Sequence, residues 1–289
     1  MKRALRRFVS KLNGRNKYIF MVSVVLICIV ALSLGIYVQF FYKYSDTDPF
    51  MIGINIGAKK TEEEFALLES KFNELFINDV KTTSDVINVD KLELEKNVVY
   101  TAYNLVNDDE TFYSVDAQIP VINIDSEIAK KINTEIKNEY YNKANSIMRQ
   151  TEGNTVYKVS YAGFVNNDII SIVIKDSTKE QGKAEQVKIK TYTYSMSRKA
   201  EVSLDDLISL KETSADVVQS TIKKEIKTAY DNAKVIASEY GTIYERNLES
   251  DMYEIKNSNT YFLTNDGYVY IIYPYGNIDY TNEMDIVIF

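Results

Sequence analysis

The sequence of 289 residues contains no histidine and no tryptophan, and its single cysteine is Cys28. Without histidine, the chain lacks Ser–His and Cys–His nucleophile pairs and HExxH zinc sites. Because Cys28 lies in an apolar N-terminal run, the remainder lacks cysteine-rich metal clusters and a disulfide framework. With three prolines and ten glycines, the chain also lacks the composition of a long disordered stalk. The folded part must therefore be stabilised by a packed core.

Charge is absent from Tyr18 to Tyr42, a run of 25 residues that is almost wholly apolar. At about 1.5 Å per helical residue, the run exceeds the roughly 30 Å core of a bilayer, where lipid leaves the backbone only internal hydrogen bonds. Residues 1–17 contain seven basic side chains and no acidic one. These features predict a basic cytoplasmic tail over 1–17, a transmembrane helix over 18–42 and an extracytoplasmic C-terminal part.

A cleaved secretory signal is the alternative interpretation of the same run, because Ala31, Ser33 and Gly35 offer small residues at a cleavage spacing. The apolar region of a signal peptide usually has about 7–15 residues. This run continues past the small residues to Phe41, which favours a retained single-pass anchor. The predicted location is the cell membrane, with the lipid bilayer as one partner.

Acidic charge dominates the chain beyond the tail. The net charge is −7 overall, and the seven basic residues of the tail leave −14 on residues 18–289. Nucleic acid and anionic lipid headgroups require a basic surface, so neither is expected as a partner of the outer part. A cationic protein or a neutral cell-wall glycan is compatible with this charge.

Residues 43–94 are predicted to form a linker and a juxtamembrane helix. Pro49 ends any helix that continues from the bilayer. Thr61 and Glu64 form a capping-box pattern, and apolar residues at spacings of three and four predict a helix to about Asn78. The apolar residues of this pattern are Phe65, Leu68, Phe72, Leu75 and Phe76.

Residues 95–289 are predicted to form an extracytoplasmic α+β domain with a first part over 95–150 and a second over 151–289. The first part has a β-hairpin with its turn at 107–110, then a helix capped by Asp125 or Ser126. The predicted strands are 97–106, 111–122, 155–164, 167–175, 186–196, 261–263, 268–273 and 285–289, and the later helices are 203–210 and a longer one from Thr213. This order predicts an antiparallel sheet with packed helices, not a parallel doubly wound sheet.

Three motifs could carry chemistry, and each has a simpler structural explanation. Ser220 and Lys223 match the S-x-x-K spacing, but they lie inside an amphipathic helix without the companion motifs of that chemistry. The acidic clusters 108–110 and 205–206 could supply the acid and base of a glycosidase, yet they fit a hairpin turn and the first turn of a helix. Asp46 and Asp48 lack the later ligands of a calcium loop. We therefore predict no catalytic, metal-binding or cofactor-binding residue.

Tyrosine is abundant, with 23 residues, and six of them crowd the C-terminal part. Tyrosine rings can bind sugars or anchor a protein interface, but strands also favour tyrosine as core material. Both roles stay open for Tyr261, Tyr268, Tyr270, Tyr273, Tyr275 and Tyr280.

Four segments of the C-terminal half carry a family similarity: 168–174, 190–196, 203–208 and 261–280. They resemble the extracytoplasmic domain-of-unknown-function family 3298 of Gram-positive bacteria, and segments 117–122 and 129–133 resemble the related family 4163, which usually precedes it. Together the resemblance covers about residues 95–289. One departure is that residues 282–284 replace the usual glycine near the last turn.

The resemblance implies a non-enzymatic binding or sensing domain at the cell envelope. Members of the family include the outer domain of the anti-sigma factor RsiV, which binds lysozyme, and the non-catalytic part of the peptidoglycan deacetylase PdaC. A tail of 17 residues is short for holding a sigma factor, and the histidines of a deacetylase are absent. The leading hypothesis is thus binding of lysozyme or another cationic protein, followed by peptidoglycan binding and by a carboxylate glycosidase.

Overall fold

The computed structural model describes residues 71–240, 246–274 and 284–289. The predicted tail, the predicted transmembrane helix and residues 43–70 of the 43–94 segment lie outside these residues, as do Tyr275 and Tyr280. Within the described residues, no helix combines the length and apolar character needed to cross a bilayer. The described residues all belong to one compact unit, which extends from Glu62 to Phe289.

The predicted first hairpin is confirmed. It consists of β2, Val99–Asp109, and β3, Tyr113–Ile122, which pair antiparallel. Its loop is at 110–112 and not at 107–110, because the carboxylate of Asp109 accepts hydrogen bonds from the backbone N–H groups of Thr111 and Phe112. A β-bulge between Thr101 and Tyr103 bends β2 near its start.

A helical segment follows β3 as the apolar spacing predicts. It comprises α1, Glu127–Ile136, a π-helical turn over Lys137–Tyr141, and α2, Asn142–Ile147. Ser126, not Asp125, is the N-cap, because its hydroxyl accepts a hydrogen bond from the N–H of Ala129 at 3.1 Å. The π-helical turn has no counterpart in the sequence prediction.

The predicted meander is also confirmed, and its first two strands are longer than predicted. Its strands are β4, Thr155–Asn166, β5, Ile169–Glu180, and β6, Gln186–Ser195, and the short β7, Ala200–Glu201, extends it. Asn167 adopts the left-handed conformation (φ 48°) at the turn between β4 and β5, which asparagine tolerates better than most residues.

The α+β class and the largely antiparallel sheet are confirmed, and the exceptions to the antiparallel prediction lie at β4. One edge of this strand pairs in parallel with β3 through residues 155–159 and with β1, Asp79–Thr82, through residues 162–165. The helical segment between β3 and β4 supplies the crossover that such a parallel pair requires. The resulting sheet has seven strands in the order β2-β3-β4-β5-β6-β7, with β1 beside β4.

The segment before β1 differs from the predicted helix. A 3₁₀ turn occupies Phe72–Leu75, and no helix reaches Asn78. Asn78 instead adopts the left-handed conformation and bonds to the backbone of Tyr161 through both its N–H and its side-chain oxygen, each at 2.9 Å. These two bonds fix the start of β1. This contact with β4 prevails over the helix that the local sequence pattern predicts.

The C-terminal strands form a second sheet and do not extend the first. Its order is β10-β9-β8, with β8 at Tyr261–Leu263, β9 at Val269–Tyr273 and β10 at Asp285–Ile288, all antiparallel. Two helices precede it, α3 at Leu204–Leu210 and α4 at Ala215–Tyr240. Ser203 and Asp206 form the predicted capping box of α3. Short 3₁₀ turns follow at Asp251–Tyr253 and Ile255–Asn257.

The elements stack in four layers: α1–α2, the seven-stranded sheet, the three-stranded sheet, and α3–α4. One buried cluster lies under α1 and α2, another joins the two sheets, and a third joins the small sheet to α3 and α4. Between the sheets, Phe262 stacks on Phe164 and on Tyr270 with ring centroids 5.5 and 4.7 Å apart. Because the small sheet contacts only part of the large one, the β2–β3 hairpin keeps an exposed face, where Asn104, Val106 and Asp116 lie.

Candidate partner-binding surface

The net charge of the described residues is concentrated in one stretch, 84–129. It contains ten acidic and two basic side chains, whereas the remaining described residues carry equal numbers of each. The acidic residues are Asp85, Asp90, Glu93, Glu95, Asp108, Asp109, Glu110, Asp116, Asp125 and Glu127, and the basic ones are Lys91 and Lys96. We call the loop 84–98 and the β2–β3 hairpin together the acidic edge; it contains eight of these ten acidic residues and both basic ones, and therefore six of the eight net negative charges.

These carboxylates are solvent-exposed, apart from Asp109, which is half-buried in the hairpin loop. In the part of the chain that the structure describes, only Asp125 and Glu127 among the ten form ion pairs, both with Lys130. The negative potential of the others is therefore not cancelled by close cations. Such a one-sided field attracts positively charged partners and raises their association rate.

Asn123, whose side chain is buried, fixes the loop 84–98 to the end of the hairpin. Its side-chain nitrogen donates to the carbonyl oxygens of Glu93, Lys96 and Asn97 at 2.7, 3.3 and 3.1 Å, and its side-chain oxygen accepts from the N–H of Glu93 at 2.8 Å. The N–H of Asp125 adds a bond to the carbonyl of Asp90 at 3.0 Å. The acidic loop is thus held in a defined position and is not a free tail.

Large apolar side chains are exposed within the same surface. Leu94 is 80% exposed, Val106 69% and Leu92 48%, and Ile87 is also exposed. Single exposed apolar residues are ordinary, and these are compatible with a protein-binding surface when they lie among exposed carboxylates. A groove of about 390 Å³ between β1 and the loop, lined in part by Val80, Ile87 and Val98, adds concave apolar surface.

The outer edge of β2 is unpaired among the described residues, because β2 ends the strand order and pairs only with β3. The N–H of Thr155 in β4 donates to the carbonyl of Phe112. Because the backbone N–H and C=O groups of successive residues point to opposite edges of a strand, those of Ser114 and Asp116 in β3 also point towards β4. Their partners in the register are Asp108 and Val106. The backbone N–H and C=O groups of these two β2 residues therefore point outward, away from the sheet.

A second polar cluster lies beneath the π-helical turn. Lys143 bonds to the carboxylate of Asp176 at 3.1 Å and to the hydroxyl of Thr178 at 2.9 Å, and its ammonium lies 4.4 Å from the ring centre of Tyr157. Burial raises the pKa of Asp176, although Lys143 opposes the shift. Within the described part of the chain, the hydroxyls of Tyr140 and Tyr157 nearby are buried without a hydrogen-bond partner. The carboxylate of Asp176 is buried, whereas the side chain of Lys143 is 37% exposed, so the cluster lies at the margin of the core under α1 and α2.

The residues singled out by sequence motifs occupy structural positions. The hydroxyl of Ser220 bonds to the carbonyl of Asp216 one helical turn back, and Lys223 is exposed. Hydrogen bonding from Arg198, 3.1 Å away, lowers the pKa of Asp206 to about 2, and the capping interaction with Ser203 adds to the shift. Asp108, Asp109 and Glu110 end β2 and begin its loop. The two acidic clusters lie on separate elements.

The described C-terminal tyrosines pack in the core. Tyr270 and Tyr273 are buried, and burial raises the pKa of each to about 12. The hydroxyl of Tyr273 bonds to that of Ser258 at 2.7 Å, and the half-buried Tyr261 donates to the carbonyl of Val202 at 3.0 Å. For these three residues, the structure favours the core role over the binding role. Tyr268 is half-buried.

Sequence reasoning named the overall acidic charge but missed its location. The signal was present, since no basic residue occurs from Asn97 to Ala129. No described group of three or more Asp, Glu or Cys side chains has the arrangement of a metal site. The carboxylates of the acidic edge are spread along a strand and a loop and do not converge.

Comparison with known proteins gives matches among solved structures alone. No protein-family model matches the sequence, and no curated protein matches it significantly. A DUF3298 family protein from Pseudomonas aeruginosa PAO1 is similar with a TM-score of 0.38 and 10% identity over 63% of this chain and 83% of that chain.

A member of the same family from Bacteroides fragilis NCTC 9343 is similar with a TM-score of 0.30 and 12% identity over 61% of this chain and 79% of that chain. Similarities at these TM-scores define neither a function nor a ligand. Both solved structures are of proteins from domain-of-unknown-function family 3298, the family that the sequence motifs resemble.

Proposed function

We propose that this chain is a membrane-anchored, non-enzymatic module that binds a cationic protein on the outer side of the membrane. The observation that carries the proposal is the concentration of the net negative charge of the described residues in the acidic edge. At physiological ionic strength the screening length is about 8 Å, so an effective field requires charges that are close together on the surface. Within the acidic edge, Asp108, Asp109 and Glu110 are consecutive, and Glu93 and Glu95 are two positions apart, so the Cα atoms within each of these two groups lie within this length.

The chemistry of the acidic edge favours a protein as the partner over a glycan. Its exposed apolar residues, among them Leu92, Leu94 and Val106, are aliphatic. Sugar-binding surfaces more commonly present aromatic rings, and the described C-terminal tyrosines Tyr270 and Tyr273 are buried instead. Aliphatic side chains surrounded by carboxylates fit a basic protein with apolar contacts of its own.

Two sequence features support the location and the kind of partner. The uncharged run over 18–42, preceded by seven basic residues, supports an anchor with its N-terminus in the cytoplasm. The resemblance to RsiV, whose outer domain binds lysozyme, supports a basic protein of that type as the ligand. Lysozyme is therefore the first probe to use.

The test measures binding of lysozyme to the full-length protein in mild detergent over a range of salt concentrations. We expect affinity to fall steeply as salt rises, because screening weakens contacts between opposite charges. Absence of binding, or binding that salt does not change, contradicts the proposal. Pelleting with purified peptidoglycan in the absence of any affinity for lysozyme favours the glycan-binding alternative instead.

A further inference from the structure

We propose that β2 recognises its partner by strand addition: an extended segment of a basic protein pairs with the outer edge of this strand. The inference rests on the proposed function and specifies how recognition occurs. It depends on the backbone of β2, whereas the proposed function depends on the charges. The two are therefore separable by experiment.

The exposed backbone of β2 is the first observation. β2 has eleven residues and spans roughly 33 Å, and it pairs only with β3 in the described part of the chain. The backbone groups of Val106 and Asp108 point away from β3, as the register and the bond from Thr155 to Phe112 require. By the same alternation, the backbone of Asn104 points outward as well. These N–H and C=O groups form a row of hydrogen-bond donors and acceptors that have no partner in the described part of the chain.

The protection of this edge is incomplete. Natural edge strands are commonly protected by charged side chains, especially lysine, by proline or by a bulge. β2 contains no lysine and no proline, its charged residues Asp108 and Asp109 lie at its loop end, and its bulge lies near Thr101, away from the exposed stretch. Residues 103–109 therefore offer a straight edge to an incoming strand.

Side chains on the two faces of β2 differ in a way that suits an added strand. Tyr103 and Leu105 are half-buried against the helical layer, where the ring of Tyr103 lies 4.6 Å from that of Tyr141. Asn104, Val106 and Asp108 are exposed on the opposite face. An added strand would place alternate side chains beside Val106 and beside the helical layer.

The carboxylates around β2 indicate which kind of segment pairs with this strand. Carboxylates lie at both ends of β2, with Asp108 and Glu110 at the loop end and Asp90 and Glu93 near its start. A second copy of this chain would bring another acidic edge against the first, and like charges in proximity are destabilising. An extended segment with basic residues is attracted to both ends instead.

The variant Val106→Pro tests the backbone directly. Proline removes the outward N–H of residue 106 and leaves the ladder to β3 intact, and such a position on an edge strand tolerates proline. Val106→Thr is the matched control, because it keeps the N–H and the β-branched shape. Circular dichroism and thermal unfolding of both variants establish that they fold as the original chain does.

The probe is a fluorescent nine-residue peptide of alternating lysine and valine, and fluorescence anisotropy with the full-length protein gives its affinity. We expect Val106→Pro to weaken binding about tenfold, as loss of one backbone hydrogen bond predicts, and Val106→Thr to change it less than about twofold. A peptide with alternate backbone nitrogens methylated has the same charge, and we expect it not to bind. Hydrogen exchange in the complex should slow at the amides of Asn104, Val106 and Asp108.

Different results would contradict strand addition, the basic partner and the proposed function. Equal affinity of the original chain and folded Val106→Pro, or no protection at those three amides, overturns strand addition. A dimer of the original chain that Val106→Pro dissociates overturns the basic occupant in favour of a second copy. If lysozyme binds with the expected salt dependence while the peptide does not, strand addition fails and the proposed function stands; if neither binds, both fail.

Discussion

Asn123 and Glu93 are joined by a reciprocal pair of hydrogen bonds: the side-chain nitrogen of Asn123 donates to the carbonyl of Glu93 at 2.7 Å, and the N–H of Glu93 donates to the side-chain oxygen at 2.8 Å. The amide side chain thus substitutes for a neighbouring backbone. It links residues 30 positions apart and holds the acidic loop 84–98 on the hairpin.

Replacing this amide tests whether a fixed loop is needed for binding. We expect Asn123→Ala to lower the free energy of unfolding by about 1–3 kcal/mol, because it removes the bonds that the buried amide makes with the partly buried backbone of the loop. Hydrogen exchange over 84–97 should become faster, and lysozyme affinity should fall. Asn133→Ala is the control, since Asn133 makes the same reciprocal bonds with Ile122, both at 2.8 Å, without contacting the loop. Loss of affinity in both variants alike would argue against a specific role of the loop.

The buried ion pair between Arg246 and Asp285 links the chain after α4 to the last strand. The guanidinium bonds both carboxylate oxygens, at 2.7 and 2.8 Å, and both side chains are about 95% buried. We expect Arg246→Met to cost about 3–5 kcal/mol by leaving a buried carboxylate unpaired. Arg246→Met combined with Asp285→Leu should recover much of that loss in urea unfolding. A double variant as unstable as the single one would contradict this explanation.

Gly163 is needed where β1 meets β4. A Cβ atom at this position would lie 2.9 Å from a methyl carbon of Val80, closer than real contacts allow. We expect Gly163→Ala to lower the free energy of unfolding by about 1–3 kcal/mol. Val80→Ala in the same chain removes the obstructing methyl groups and should restore part of the stability. Equal destabilisation with and without Val80→Ala would refute the steric cause.

The stability of the folded chain depends on pH through the carboxylate of Asp206. The neighbouring Arg198 and Ser203 lower its pKa from 3.8 to about 2 in the folded state. A lowered folded-state pKa means that the ionised group stabilises the fold above about pH 4 and that this contribution is lost as pH falls towards 2. We expect Asp206→Asn to flatten the stability curve in that interval, as measured by thermal unfolding. The effect is small because the carboxylate is partly exposed. An unchanged slope would exclude the contribution.

The elements with local signals were predictable. The alternation in 97–122 gave the hairpin, and the spacing from Ile128 to Ile147 gave the helical segment. The parallel pairing of β4 with β1 and β3 was missed, because it joins residues about 40 to 80 positions apart and its energy depends on tertiary packing. The separation of β8–β10 into a second sheet was missed for the same reason.

The candidate site was only partly predictable. The run 97–129 without a basic residue was visible in the sequence, but the outward direction of the Val106 backbone follows from which hairpin strand ends the sheet. Local patterns do not specify strand order. The capping role of Asp206, by contrast, was visible from the spacing of Ser203 and Asp206.

Two chains with the same total charge test the central claim most directly. One carries Glu95→Gln, Asp108→Asn, Glu110→Gln and Asp116→Asn within the acidic edge, and the other carries Glu152→Gln, Glu185→Gln, Glu212→Gln and Glu249→Gln at exposed sites elsewhere. Lysozyme affinity of each full-length protein is compared with that of the original at 0.15 M salt. We expect the first set to weaken binding about 10- to 30-fold, from four contributions of about 0.5 kcal/mol, and the second to change it less than about twofold. Equal losses in the two chains would show that overall charge, not the acidic edge, governs binding.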